Sequence, residues 1–413
     1  MKPTYAAALL VCLLPMAASA ADPGEILPNR IDLIRHDAPP LALPGPLAVG
    51  VRTLELRDPD RVDVLGTLER GSVVRYERVL TVEVWYPAVA QQGGAVTHYL
   101  SETRNLDVMA LLHGSAQRDA EALQGQGRFP LVVLSHGYPG NRYLLSHLGE
   151  NLASKGYVVA SIDHTDSTYR NQQAFASTLY NRSPDQRFVL QALATAAQSE
   201  GSFLQGIVDA DHTGLIGFSM GGYGLLNNLG AAYSEAMIDA AGAPPLGLLR
   251  DHTDVSPTYR QALDPRFKAG VAIAPWGMNS GYFTAETLAS IRVPMLLVAG
   301  TVDSTAGYEN GTRAVFENTT GTERTLLSFV NGGHSVAAPI PLPQEILQTA
   351  DKSGAGHYAD PVWDSVRSNN ILAHYVTAFL DLHLKQMKER EPALGELPER
   401  SVGLQLEHRA AGE

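Results

Sequence analysis

The chain has 413 residues, 45% of them hydrophobic and 18% charged, enough for one large α/β domain with a full core. Its formal net charge of −12 is spread without runs of like charge, which disfavours attraction to nucleic acid or to an anionic membrane. Cys12 is the lone cysteine and falls inside a leader-like segment, so a processed chain would have no disulfide, no thiolate nucleophile and no cysteine metal site.

In the first twenty residues Lys2 is the only charged side chain, an apolar run covers Ala6 to Met16, and Ala18-Ser19-Ala20 offers small residues for cleavage. This is the three-part pattern of a secretory signal peptide over residues 1–20, predicting export to the periplasm or the medium. The alternative is a buried N-terminal helix; no other apolar stretch is long enough to predict a membrane span. Residues 21–48 are Pro-rich and weakly patterned and read as a strap or linker. Val49 to Leu54 and Val79 to Tyr86 then read as antiparallel strands flanking a turn near Gly71, the second ending at Pro87. Between Gln91 and Arg128 the pattern is mixed, with a short helical patch from Leu106 to Leu112.

From Leu131 onwards strands and helices alternate. Leu131-Val132-Val133-Leu134 is a continuous apolar run of the kind buried on both faces of a sheet. A helix follows from Arg142 to Lys155, stopped by Gly156, and Tyr157 to Ile162 is the next strand. Ser183-Pro184-Asp185-Gln186 has the cap residue, first-turn proline and third-position Gln of a helix start, giving a helix to Ala197. Further strands are expected at His212 to Phe218, Ala269 to Ala274, Met295 to Ala299 and Thr325 to Phe329, with a covering helix from Asn369 to Lys388. The pattern predicts an α/β domain over residues 49–388, with a mostly parallel central sheet, helices on both faces and an N-terminal antiparallel hairpin. Residues 389–413 are expected to form a loose polar tail.

Gly217-Phe218-Ser219-Met220-Gly221 matches G-x-S-x-G, a pattern that chance readily supplies in a chain with 38 glycines. Its setting makes it informative: a strand precedes it and a helix follows, and a sharp strand-to-helix turn lifts a serine hydroxyl above the sheet edge. Ser135-His136-Gly137-Tyr138-Pro139-Gly140 follows an earlier buried strand, where ligand groups gather in parallel sheets. There the backbone N–H of Tyr138, with that of Met220, would hold a developing oxyanion. His136 is read as a structural histidine of this loop.

A serine hydroxyl needs a base, and His334 in Asn331-Gly332-Gly333-His334-Ser335 follows a late strand on a glycine-rich loop. Its competitors are weaker: His374 and His383 fall in a predicted helix, and His357 has no strand before it. Asp303, after the strand at Met295 to Ala299, is the candidate acid that orients the imidazole, with Glu309 as the fallback; the opposing reading makes Asp303 a helix cap. The order Ser219, Asp303, His334 is that of α/β-hydrolases. A base must be neutral to accept a proton, so activity is expected to fall below about pH 6–7.

With these residues in place, the sequence resembles the platelet-activating-factor acetylhydrolase and dienelactone-hydrolase-like esterases of the α/β-hydrolase superfamily, from about Val49 to Lys385. The resemblance rests on Val82-Glu83-Val84-Trp85-Tyr86-Pro87, Ser135-His136-Gly137, Leu152 to Ala160, Ile162-Asp163-His164, Asn181-Arg182-Ser183-Pro184-Asp185 and Gly214 to Gly222. Dienelactone hydrolases carry a cysteine where this chain has Ser219, which counts against a dienelactone substrate. The animal acetylhydrolases carry their acid one strand earlier, where Ala274 stands here and cannot serve. Ser219-Met220 and Trp276 also resemble cutinase-like polyester hydrolases, in which an equivalent tryptophan lies by an aromatic acyl group. That resemblance implies an acyl-pocket role for Trp276; plain packing is the competing reading.

The reading is thus an exported serine esterase for small-molecule or lipid esters, short-chain, acetyl or phospholipid, needing no cofactor or metal. The rivals are a cutinase-like polyester hydrolase or lipase, and a catalytically silent binding protein on the same fold.

Overall fold

Leu131 to Leu134 offers no polar side chain to water, and in the computed structural model it lies at the middle of a ten-stranded sheet, wholly buried. The structure describes residues 27–90, 97–172, 175–397 and 401–413; the predicted signal peptide lies outside them. The strands are β1 (Ala48–Asp63), β2 (Val74–Ala88), β3 (His98–Glu102), β4 (Met109–His113), β5 (Gln117–Arg118) and β6 (Phe129–Ser135). They continue as β7 (Val158–Asp163), β8 (Val208–Phe218), β9 (Phe267–Ile273), β10 (Met295–Gly300), β11 (Arg324–Phe329) and β12 (Leu404–Arg409). Their order across the sheet is β12-β11-β10-β9-β8-β6-β7-β2-β1-β5, with β3 and β4 forming a separate hairpin. From β6 to β11 neighbouring strands are parallel. The β1–β2 ribbon enters antiparallel against β7. The sheet and its helices give the chain the α/β-hydrolase fold.

Alternation along β6 divides the core between two faces. Val132 and Leu134 pack with Leu148 and Leu152 of α2 (Ser146–Ser154) and with Val376 and Leu380 of the long helix Ser365–Lys385. Leu131 and Val133 pack with Leu190 and Leu193 of α3 (Phe175–Gln198) and with Leu225 and Leu226 of α4 (Met220–Asn228). Each fully buried aliphatic side chain of this kind contributes roughly 1.5–3 kcal/mol. The chain steps from β6 to β7 on one side, then returns to lay β8 on the other. Ends of strands at such a reversal leave a crevice, and the loops after β6 and β8 flank it.

Several elements differ from the sequence reading, each for a packing reason. The ribbon strands are joined by α1 (Val64–Arg70), with Gly71 as its left-handed cap at φ 67°, and β2 continues through Pro87 to Ala88. The expected helical patch at Leu106–Leu112 is instead partly strand β4, paired with β3, because Ala110 and Leu112 turn inward while Leu111 points out. α3 includes Ser183 and Pro184 rather than starting there, since Leu179 and Tyr180, before the cap-like residues, are already buried against the body. The C-terminal segment is not a loose tail. Leu404–Arg409 pairs antiparallel with β11, and Glu407 accepts from Arg313 at 2.6 Å.

Under the β1–β2 ribbon lies a buried ionic cluster centred on Asp185 of α3. Its carboxylate accepts from Arg61 at 2.7 Å and from Arg78 Nε at 2.9 Å, and meets His164 Nδ1 at 3.0 Å. His164 Nε2 in turn meets Ser135 Oγ at 2.8 Å, at the end of β6. Burial alone would raise the Asp185 pKa, but Arg78, His164 and Arg61 outweigh it and hold the carboxyl well below the ordinary aspartate value. The stabilisation is therefore fully present above the unfolded-state aspartate value and is lost progressively as pH falls below it toward the depressed folded value. Replacing Asp185 by Ala leaves buried cations without their partner, and should cost about 3–5 kcal/mol in urea unfolding; a loss under about 1 kcal/mol would contradict the cluster's structural role.

Candidate active site

The backbone at Ser219 bends at φ 52° and ψ −113°, immediately between the end of β8 and the first turn of α4. A non-glycine residue resists that conformation, and its surroundings hold it there. Ser219 N–H donates to Ile273 O at 2.9 Å, while Ser219 O accepts from Tyr223 and Trp276 N–H, each at 3.1 Å. The bend also needs bare backbone on both sides. A Cβ on Gly217 would lie 2.3 Å from Gly221 C, and one on Gly221 would lie 2.0 Å from Ser135 O.

His334 arrives on the loop after β11 and Asp303 on the loop after β10. His334 Nε2 is 3.0 Å from Ser219 Oγ, and its Nδ1 is 2.8 Å from Asp303 Oδ2. The other carboxylate oxygen of Asp303 accepts the N–H groups of Thr305 and Ala306 at 2.8 and 3.0 Å. Burial raises the Asp303 pKa, but the His334 hydrogen bond and these two amides prevail and hold it below the ordinary value. Phe218 packs against the His334 ring, centroids 5.1 Å apart, limiting its swing. Three residues distant in sequence thus meet in one hydrogen-bonded line. Glu309, the fallback acid, is exposed and faces Arg313 instead.

Tyr138 follows Gly137, where a Cβ would stand 3.2 Å from Ser219 Cβ, so this loop crosses close beside the hydroxyl. Met220 opens α4, and among the described residues neither the Tyr138 nor the Met220 N–H donates to a loop carbonyl. His136 faces inward: its Nδ1 lies 2.6 Å from Gly137 O and its Nε2 accepts His164 N–H at 3.3 Å. Trp276 joins an aromatic group with Phe175, Tyr223 and Tyr282, and Phe175 reaches Tyr138 at 5.1 Å between centroids.

A cleft of about 450 Å³ opens over Ser219 and His334, lined among others by Tyr138, Thr305, Ser335, Asp360, Arg104 and His357. Trp276 is not part of this polar wall. The sequence reading missed the residues that fix the loops from behind. Arg182, buried in α3, donates to His136 O at 2.7 Å and Ser167 Oγ at 2.8 Å, and Gln186 donates to Gly221 O at 2.9 Å. Nothing local to Arg182 or Gln186 signals these contacts; only the packing of α3 against two loops creates them. Among the described residues no group of acids, histidines or cysteines has metal-binding geometry.

Residues 72–229 match the profile of the family described as platelet-activating factor acetylhydrolase, isoform II. The platelet-activating factor acetylhydrolase of Bos taurus is 28% identical over 213 residues, 46% of this chain and 45% of its own. Cutinase 2 of Thermobifida cellulosilytica is 26% identical over 175 residues, 42% of this chain and 48% of its own. The chain spans about half the length of the curated relatives it matches. Among solved structures, a ferulic acid esterase from Streptomyces cinnamoneus superposes with a TM-score of 0.59 at 22% identity, over 89% of this chain and 98% of that one, a likeness of fold.

The glycine at 221 gives a direct test of the bend. Gly221→Ala drives a methyl group into the Ser135 carbonyl and should lower stability by about 1–3 kcal/mol in thermal or urea unfolding. An unchanged unfolding midpoint would show that the turn has room this geometry denies.

Proposed function

We propose that this chain, a member of the α/β-hydrolase superfamily, cleaves carboxylic esters through an acyl-enzyme formed on Ser219. The observation that carries the reading is the continuous line from Ser219 Oγ to His334 Nε2, at 3.0 Å, and from His334 Nδ1 to Asp303, at 2.8 Å. His334 takes the hydroxyl proton as Oγ attacks the ester carbonyl. The N–H groups of Tyr138 and Met220 receive the oxyanion, a contribution of about 3–4 kcal/mol for each such donor in related chemistry. His334 then returns the proton to the departing alcohol, and water, activated by the same imidazole, releases the acid. Asp303 stays ionised and steadies the imidazolium that forms in both steps.

The similar acetylhydrolases and cutinases support esters as the substrate class, with short acyl or acetyl groups and phospholipid esters the first to try. The aromatic group of Phe175, Trp276 and Tyr282 favours a second reading, a cutinase-like preference for aromatic polyesters with Trp276 against the acyl portion. The leader-like residues 1–20 support export to the periplasm or the medium.

Rates on p-nitrophenyl esters of increasing acyl length, set against a polyester film, test both readings. Ser219→Ala should reduce kcat at least about 10³-fold, and Asp303→Asn about 10³- to 10⁴-fold, with little change in KM. Because the base must be neutral to accept a proton, activity should fall on the acid side, while Asp303, held low, remains charged along that limb. Hydrolysis that survives Ser219→Ala, or a flat profile down to about pH 4, would overturn the mechanism.

A further inference from the structure

The cleft over Ser219 contains a second polar group that ester cleavage does not use. Arg104, on the loop after β3, lines it with an exposed guanidinium, and no carboxylate among the described residues comes within ion-pair distance of that side chain. The neighbouring acids are already engaged. Glu102 pairs with Arg170; Asp360, the carboxylate of the cleft wall, accepts the N–H groups of Gly333, Val362 and Trp363. The neighbour of the Arg104 guanidinium is His357, whose Nδ1 lies 3.5 Å from Nη1.

The proton on His357 can be assigned from the chain of hydroxyls behind it. Arg104 N–H donates to Tyr358 OH at 3.2 Å, and Tyr358 OH donates to Tyr169 OH at 3.1 Å. Tyr169 is buried and has already accepted, so its one proton goes to His357 Nε2 at 2.7 Å; any other arrangement strands a buried hydroxyl proton. Burial and the nearby Arg104 and His334 keep the imidazole neutral, its pKa pushed down to about 3. With Nε2 accepting, the single ring proton must sit on Nδ1. Two donors, Arg104 Nη1–H and His357 Nδ1–H, therefore face each other with no acceptor between them, which is a repulsive contact until a negative oxygen enters.

We infer that Arg104 and His357 form a subsite for an anionic oxygen, carboxylate or phosphate, on the alcohol portion of the ester. The side follows from the chemistry: His334 hands its proton to the leaving oxygen, so the alcohol lies against His334, in the cleft that Arg104 and His357 also line. Trp276, Phe175 and Tyr282 are not among the residues that line this cleft, and their aromatic group suits the acyl portion. The subsite rests on the esterase reading above and specifies its substrates: esters of hydroxy acids or of phosphate-bearing alcohols.

The test compares three acetates with the same acyl group: 4-acetoxybenzoate, 4-acetoxyphenyl phosphate, and the neutral methyl 4-acetoxybenzoate. In Arg104→Gln the ratio of kcat/KM for the anionic acetates to that for the neutral one should drop about 10-fold or more from its wild-type value, and Arg104→Lys should restore part of it. Which anionic ester falls further tells carboxylate from phosphate. Calorimetric binding of 4-hydroxybenzoate and its methyl ester reads the subsite without turnover: wild type should favour the anion, and Arg104→Gln should lose that preference. If none of the three acetates is hydrolysed but this preference appears, the esterase reading fails and the subsite stands. An unchanged ratio among hydrolysed acetates, or equal binding of the two phenols to wild type, would overturn the subsite.

Discussion

A serine hydroxyl becomes useful only if it is held clear of its own backbone, within reach of a base, and beside donors that wait for negative charge. In this chain those conditions reduce to one bend. Ser219 adopts φ 52° because its N–H is drawn to Ile273 O and its carbonyl takes two further N–H groups, from Tyr223 and Trp276. Gly217 and Gly221 let the strand end and the helix start touch at distances no side chain would permit. The rest of the sheet end is built around that closure. The β6 loop presses against it from one side, and the loops after β10 and β11 deliver Asp303 and His334 from the other.

Behind the loops the core carries buried polar groups, and they are ordered. Asp185 gathers Arg61, Arg78 and His164, and His164 leads to Ser135 at the start of the loop that carries Tyr138. On the same helix α3, Arg182, a turn earlier, and Gln186, the next residue, tie the His136 and Gly221 carbonyls. A single helix thus fixes both loops that border the hydroxyl, through buried charged and amide groups that bond to those loops, with Arg182 Nε alone of the Arg182 nitrogens left without a partner among the described residues. Precise placement of this sort is what limits small displacements at a reacting centre.

The meeting of Ser219, Asp303 and His334 at one end of the sheet was legible in sequence because each follows a strand that announces itself by an apolar run, and strand ends are where such folds collect their polar groups. The parallel centre of the sheet was legible for the same reason. What escaped depends on partners remote in the chain. α3 shows a strong cap signal at Ser183, yet Leu179 and Tyr180 find a hydrophobic surface that carries the helix further back. Met109–His113 has helix-compatible residues and becomes a strand only because His98–Glu102 supplies the pairing edge. Leu404–Arg409 looks like a polar tail until the free edge of β11 and Arg313 are beside it. Arg104 and His357 are ordinary surface-type residues in sequence; the donor-against-donor contact exists only after Tyr169 and Tyr358 come together behind them.

The proposed mechanism passes through a covalent product on Ser219. Acid-quenching the protein during turnover of p-nitrophenyl acetate and mapping its peptides by mass spectrometry looks for that product directly. The account predicts a single acetyl group on the peptide containing Ser219, appearing within the first turnover and lost on further incubation. Turnover with no adduct at Ser219, or with the acetyl group stably on another residue, would contradict it.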